Sequence, residues 1–207
     1  MVDDHTGVYP LGQGVFDEWE KHEVVVVPRS RDDYFAVAMQ ILEVSGFPAL
    51  TASALCDQMA VTRGSFYHHF ASFDEFVDGL LAHWERQYSR ELISESAGLQ
   101  ELSVMLQRQA QMAVSLPHGA EVAFRVWGTV NPRVAAAQKR VDQLRHDGLA
   151  QSLIDHGVPQ ATATVYAEIA RSALIGAQMT GITPDRMLGM YDELSGFVTA
   201  RAADIAV

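Results

Sequence analysis

From residue 30 onward, apolar side chains recur every three to four positions, the spacing that puts them on one side of a helix. The first such run opens at Ser30, where Asp33 completes a capping-box pattern. It carries Phe35, Ala38, Ile41 and Leu42 on one face and ends at Ser45-Gly46. Two short helices follow. Thr51 caps one that buries Leu55, Cys56 and Met59; Val61 fills the angle, and Thr62 caps another that buries Phe66 and Phe70. Ser72 and Glu75 repeat the capping-box pattern at the start of a long helix running through Phe76, Leu80, Leu81, Trp84 and Tyr88 toward Ile93.

Beyond Gly98 the same periodicity predicts helices over 99–116, 117–130, 131–156, 159–181 and 183 to about 203, with no strand pattern between them. Asn131-Pro132 and Thr183-Pro184 each set a capping residue before a proline suited to the first helical position, and Gly157 and Gly181 stand where helices should stop. The expected fold class is all-α: a helix-turn-helix head, residues 29–75, followed by a helical bundle, residues 76–207. Residues 1–28 read as a separate acidic extension punctuated by glycine and proline. Its Val24–Val27 run forms either a short strand or an extended apolar anchor.

The second helix of the motif would face outward with Arg63, Gly64, Ser65, Tyr67 and His68. Such a surface suits the DNA major groove, where residues from the first turns of a helix meet base edges and phosphates. The run Val61-Thr-Arg-Gly-Ser-Phe-Tyr-His-His-Phe70, then Ser72-Phe-Asp-Glu-Phe76, resembles the end of the DNA-binding domain of TetR-family transcriptional regulators. Gly46 to Thr51 is similar to that family's Gly-aromatic-x-x-x-Thr link.

The resemblance implies a homodimeric all-helical regulator, a repressor, that binds a palindromic double-stranded operator and is released when a small apolar effector enters the C-terminal bundle. It implies DNA contacts from Thr51, Thr62, Arg63, Gly64, Ser65, Tyr67, His68 and His69. For His69, packing against the neighbouring helix is an equal alternative. The sequence departs from the family pattern at Ala60, where a turn glycine is usual, at Ala71, and at Phe73, where lysine often anchors a phosphate. Ala60 must therefore either take positive φ or impose a different turn.

In the bundle, Met105, Met112, Phe124, Trp127, Tyr166 and Met179, with Arg125, are the candidate ligand-binding residues, the polar atoms of Arg125, Trp127 and Tyr166 being able to orient a ligand. A dimer interface of two helices from each subunit is expected to use Ala173, Gly176, Ala177 and Thr180, then Leu188, Tyr191, Leu194, Ser195 and Val198.

Charge changes this picture in one respect. The chain carries a formal net charge of −11, and within 29–75 Arg29, Arg31 and Arg63 face Asp32, Asp33, Glu43, Asp57, Asp74 and Glu75. DNA affinity must then come from a few placed contacts, with a shallow salt dependence. The acidity also keeps open an alternative: a protein of this fold that acts through ligand and protein contacts without sequence-specific DNA binding.

Neither a signal peptide nor an apolar run long enough for a membrane span is recognisable, so a cytoplasmic protein is expected. The single cysteine, Cys56, reads as a core residue. No HExxH, Gly-x-Ser-x-Gly or phosphate-binding glycine loop occurs and the histidines lack metal-ligand spacing, so neither enzyme activity, cofactor nor metal is expected.

Overall fold

The computed structural model describes residues 30–90 and 99–205. The acidic extension and the end of the expected helix toward Ile93 lie outside them. Among the described residues there are nine α-helices and no strand: α1 Arg31–Ser45, α2 Ala52–Met59, α3 Arg63–His69, α4 Phe73–Glu85, α5 Leu102–Val114, α6 His118–Gly128, α7 Pro132–Asp155, α8 Gln160–Thr180 and α9 Pro184–Ile205. A 3-10 turn, Phe47–Ala49, joins α1 to α2, and a five-residue π-helical segment, Arg86–Arg90, extends α4.

Local chemistry sets most helix starts. The Ser30 hydroxyl accepts from the Asp33 amide while the Asp33 carboxylate accepts from the Ser30 amide, a complete capping box. Thr51, Thr62 and Asn131 cap α2, α3 and α7 by the same side-chain-to-amide geometry. At α4 the box is incomplete. Ser72 accepts from the Glu75 amide, but Glu75 turns back to the Ala71 amide and to Arg31 instead of the Ser72 amide.

The turn between α2 and α3 takes the strained solution. Ala60 adopts φ 52°, ψ 44°, and its amide reaches the carbonyls of Asp57 and Cys56 at the end of α2. A left-handed non-glycine residue costs roughly 1–2 kcal/mol, and its Cβ stands exposed. Ala60→Gly is therefore expected to raise the stability of the protein by about 1 kcal/mol, read as a higher midpoint in urea denaturation with an unchanged slope.

Two apolar cores organise the chain. The first gathers Tyr34, Phe35, Phe66, Phe70, Phe76 and Trp84 from α1, α3 and α4, and continues without interruption into Phe124 and Trp127 of α6 and Val134 and Val141 of α7. The second joins Met105 and Leu106 of α5, Leu153 of α7, Tyr166 and Leu174 of α8, and Met187, Tyr191 and Val198 of α9. The helix-turn-helix is thus seated on α6 and the first half of α7 by shared aromatic packing. No described helix is long and apolar enough to cross a membrane.

Candidate functional site

The outward face of the motif is built on an aromatic block. Phe66 lies edge-on to Tyr34, 5.7 Å between ring centroids, and Phe70, Phe73 and Phe76 close around it. Phe73, at the family's lysine position, packs between Phe66 and Phe76 and stays partly exposed. Behind this block α3 cannot rotate without breaking the packing. Its other side presents Thr62, Arg63, Gly64, Tyr67 and His68 to solvent, with Tyr67 53% exposed.

The individual positions differ in what they offer. Arg63 enters no hydrogen bond or ion pair among the described residues, so its guanidinium is uncommitted. At Gly64 an added Cβ would meet only the Thr62 hydroxyl, at 3.5 Å, an ordinary contact, so nothing inside this chain requires glycine there. Two expected contacts are corrected. Ser65 shares a hydrogen bond with the Tyr34 hydroxyl at 3.1 Å and is half-buried, which turns it toward α1 rather than outward. The His69 ring tilts onto Tyr34 at 5.3 Å, the packing alternative, and its carbonyl accepts from Arg31. Thr51 is exposed beside this surface while capping α2.

Part of the acidity of the head is offset by internal partners. Arg31 lies over the Phe70 ring at 4.4 Å and pairs with Glu75 at 2.8 Å. That hydrogen bond, with one from the Ala71 amide, holds the Glu75 carboxyl below its usual range. Asp74 pairs with Arg133 of α7 at 3.0 Å. Glu43 accepts from the Ala120 amide at 2.7 Å, capping the start of α6 from the end of α1. Burial raises the Cys56 thiol, with Asp57 adding to the rise, so it stays protonated between α2 and the turn.

A second site lies in the bundle. A cavity of ≈ 90 Å³ opens between α5, α7, α8 and α9. Of the residues read as ligand-binding, Met112, Arg125 and Tyr166 line it. The rest are corrected. Met105 is sealed in the second core; in the first, Phe124 stacks on Trp84 and Trp127 on Phe124; Met179 points outward, 53% exposed. Sequence spacing identifies an apolar stripe, but which of two cores a stripe enters depends on how the helices cross.

Two of the residues expected at a dimer interface also belong to the cavity. Tyr191 is buried and donates to the Ala170 carbonyl, and Ser195 meets the Tyr166 hydroxyl at 3.5 Å. Burial raises both phenols, further for Tyr191 than for Tyr166. Ala177 and Val198 are likewise buried within the chain, and Leu188 and Leu194 pack on the second core. Ala173 is half-buried, whereas Gly176 and Thr180 do face outward. The outward apolar side chains are instead Val165, Ile169 and Met179 on α8 and Met190 and Phe197 on α9. Gly176, Gly189 and Gly196 have open space where a Cβ would sit.

Between cavity and head runs a buried polar connection that sequence reading missed. Arg145, in the cavity wall, donates to both carboxylate oxygens of Glu121 at 2.8 and 2.9 Å and to the Tyr88 carbonyl at 2.9 Å. Glu121 is fully buried and also accepts from the indole of Trp84 at 2.9 Å. Trp84 lies on α4, the helix whose first residues close the aromatic block beneath α3. The available signal was a glutamate inside the apolar run Ala120–Phe124.

An outward-facing second motif helix on an all-helical body with an internal cavity defines a helix-turn-helix regulator. Residues 35–80 match the family described as bacterial regulatory proteins, tetR family. The chain is similar to the HTH-type transcriptional regulator UidR of Escherichia coli, 25% identical over 124 residues that make up 57% of this chain and 61% of that protein. The match thus spans about three fifths of the curated relative's length.

The fold is similar to that of a transcriptional regulator from Rhodococcus sp. Rha1, with TM-score 0.70 and 18% identity over 82% of this chain and 96% of that one. It also resembles a TetR transcription regulator from Haloarcula marismortui, with TM-score 0.67 and 12% identity over 82% and 96% of the two chains. Residues 35–80 thus carry the match to the tetR family, and the chain is similar in sequence and in fold to transcriptional regulators of the TetR type.

Proposed function

We propose that the protein is a homodimeric, ligand-released repressor that reads a palindromic operator through α3. In this reading residues 1–28 are an accessory extension, 29–75 the DNA-binding head, and 76–207 the ligand-binding and dimerisation body, working in the cytoplasm where the DNA is. The observation that carries it is the uncommitted Arg63 on the exposed side of a helix whose other side is locked into the aromatic block. Arg63 would pair with a guanine edge, Thr62 and Tyr67 would hold phosphates, Gly64 would let the backbone come close, and Thr51 and His68 would flank the contact. Ion pairing of Asp74 and Glu75 supports this reading despite the acidic composition.

Selection of duplex DNA from a random pool at low salt should enrich a palindrome with half-sites about one helical turn apart. Arg63→Ala should cost about 1–3 kcal/mol of discrimination at one position of each half-site. A mutant with unchanged base preference would take Arg63 out of the reading role. A folded wild-type dimer that enriches no sequence would favour the alternative of a regulator acting through protein contacts, to which Phe73 in place of an anchoring cation already lends weight.

For the dimer, the outward faces of α8 and α9 support an interface of Val165, Ile169, Met179, Met190 and Phe197, with Gly176, Gly189 and Gly196 permitting close approach. Phe197, 63% exposed, is the largest of these side chains. Phe197→Glu is expected to give a folded monomer by sedimentation velocity, and retention of a dimer in that variant would move the interface elsewhere.

The effector would enter the cavity and act through Arg145, Glu121 and Trp84 on α4, changing the spacing of the two α3 helices. Release requires that it bind the non-DNA arrangement more tightly, since equal affinity for both arrangements shifts nothing. The π-helical segment at Arg86–Arg90 lies where this connection meets the Tyr88 carbonyl, and such distortions often mark functional positions.

A further inference from the structure

The cavity's own polar groups say more about its ligand than its apolar wall does. Leu106, Ala110, Leu149, Leu174 and Ile175 form that wall, and they accommodate any short aliphatic or aromatic body. Three arginines, Arg125, Arg145 and Arg171, also reach it. Arg125 is neutralised by a two-pronged pair with Asp142, at 2.8 and 3.0 Å. Arg145 is neutralised in the same manner by Glu121. Arg171, on α8, has no hydrogen-bond or ion-pair partner among the described residues and is half-buried.

Donors are in excess among the other lining groups too. The buried Arg125 Nε and the Ser89 hydroxyl have no hydrogen-bond partner among the described residues. Both Asp142 oxygens are already engaged, and the Tyr191 hydroxyl is committed to the Ala170 carbonyl. A carboxylate accepts only, through two oxygens, and suits a site with one surplus guanidinium and unmet donors. A cationic ligand would meet the Arg171 charge with no free carboxylate among the described lining residues to offset it.

We propose that the effector is a short apolar molecule bearing a single anionic group, with Arg171 as the residue that selects for its charge. This rests on the reading of the cavity as the effector site and narrows the expected apolar effector to an amphipathic anion. Arg171 is placed for this role at the edge of the apolar wall, one turn from Leu174 and Ile175, so that a ligand body on those side chains brings its head to the guanidinium.

Calorimetric titration of the purified full chain with benzoate and hexanoate, each against its own primary amide, tests the assignment. At least one carboxylate should bind about tenfold or more tightly than its amide. Arg171→Met should remove that preference while keeping the amide affinity, and Arg171→Lys should restore part of it. Thermal melting of both variants checks that the fold is retained. Amides that bind as tightly as their carboxylates would overturn the anionic assignment and leave the cavity as a ligand site. A preference that persists in Arg171→Met would overturn the role of Arg171, and heat from neither kind of probe would overturn the assignment together with the reading of the cavity beneath it.

Discussion

Arg145→Met is expected to destabilise the protein by about 3–5 kcal/mol, because it leaves the fully buried Glu121 carboxylate without the guanidinium that compensates it. A methionine fills the arginine's apolar volume, so the loss would come from charge and hydrogen bonding rather than from a cavity. Glu121 would keep one donor, the Trp84 indole, which cannot neutralise it, and the Tyr88 carbonyl would lose its donor as well. For a chain of this size the midpoint of thermal melting should fall by roughly 10 °C or more.

The double variant Arg145→Met with Glu121→Met separates the two roles assigned to this pair. Replacing both members of a buried ion pair by apolar residues is often nearly neutral, so much of the stability should return. Not all of it should, since Trp84 Nε1 would lose its acceptor and the Tyr88 carbonyl its Arg145 donor. The restored protein should bind DNA yet respond less to a cavity ligand, as read by fluorescence anisotropy of labelled operator with and without the ligand. A double variant that melts like the wild type and still releases DNA normally would remove the pair from the coupling.

Gly119→Ala is expected to cost about 1–3 kcal/mol, and to weaken DNA binding with it, by forcing α1 away from α6. The added Cβ would be driven against the Glu43 carbonyl, a backbone atom that no side-chain rotation can move aside. The same displacement would pull the Glu43 carboxylate from the Ala120 amide it caps. The head would lose a fixed orientation on the body, which is what a dimer needs to span two half-sites. Thermal melting and operator titration of this variant measure both effects. A variant with wild-type melting and operator affinity would show that the α1–α6 approach is not rigid.

The helix starts were legible because caps are local. Ser30, Thr51, Thr62 and Asn131 each act on amides two or three residues away, within the reach of sequence pattern. The Glu75 carboxylate shows where that reach ends, since Arg31, 44 positions earlier, and the Ala71 amide together draw it off the Ser72 amide. The outward face of α3 was largely legible for the same reason that Phe66 and Phe70 were: one period of one helix assigns both sides. Ser65 escaped it because its hydroxyl is held by Tyr34, a residue of another helix.

The body was harder, because α8 and α9 carry apolar residues on outward as well as inward sides. Periodicity alone cannot then give the rotation of the helix about its axis. Tyr191 and Val198 turn inward, Phe197 turns outward, and Met179 leaves the core it would have filled. Phe124 and Trp127 went to the head's core because α6 packs against α1 and α4, bringing Phe124 against Trp84 and Trp127 against Phe47.

By itself the sequence determined an all-helical chain, the ends of most of its helices and the helix-turn-helix, because these depend on residues within a turn or two of one another. Tertiary structure alone decided which side of each body helix is interior, the Arg145–Glu121–Trp84 connection and the charge balance of the cavity. Those depend on pairs of residues 17 to 57 positions apart, which only the crossing of packed helices brings within hydrogen-bonding distance.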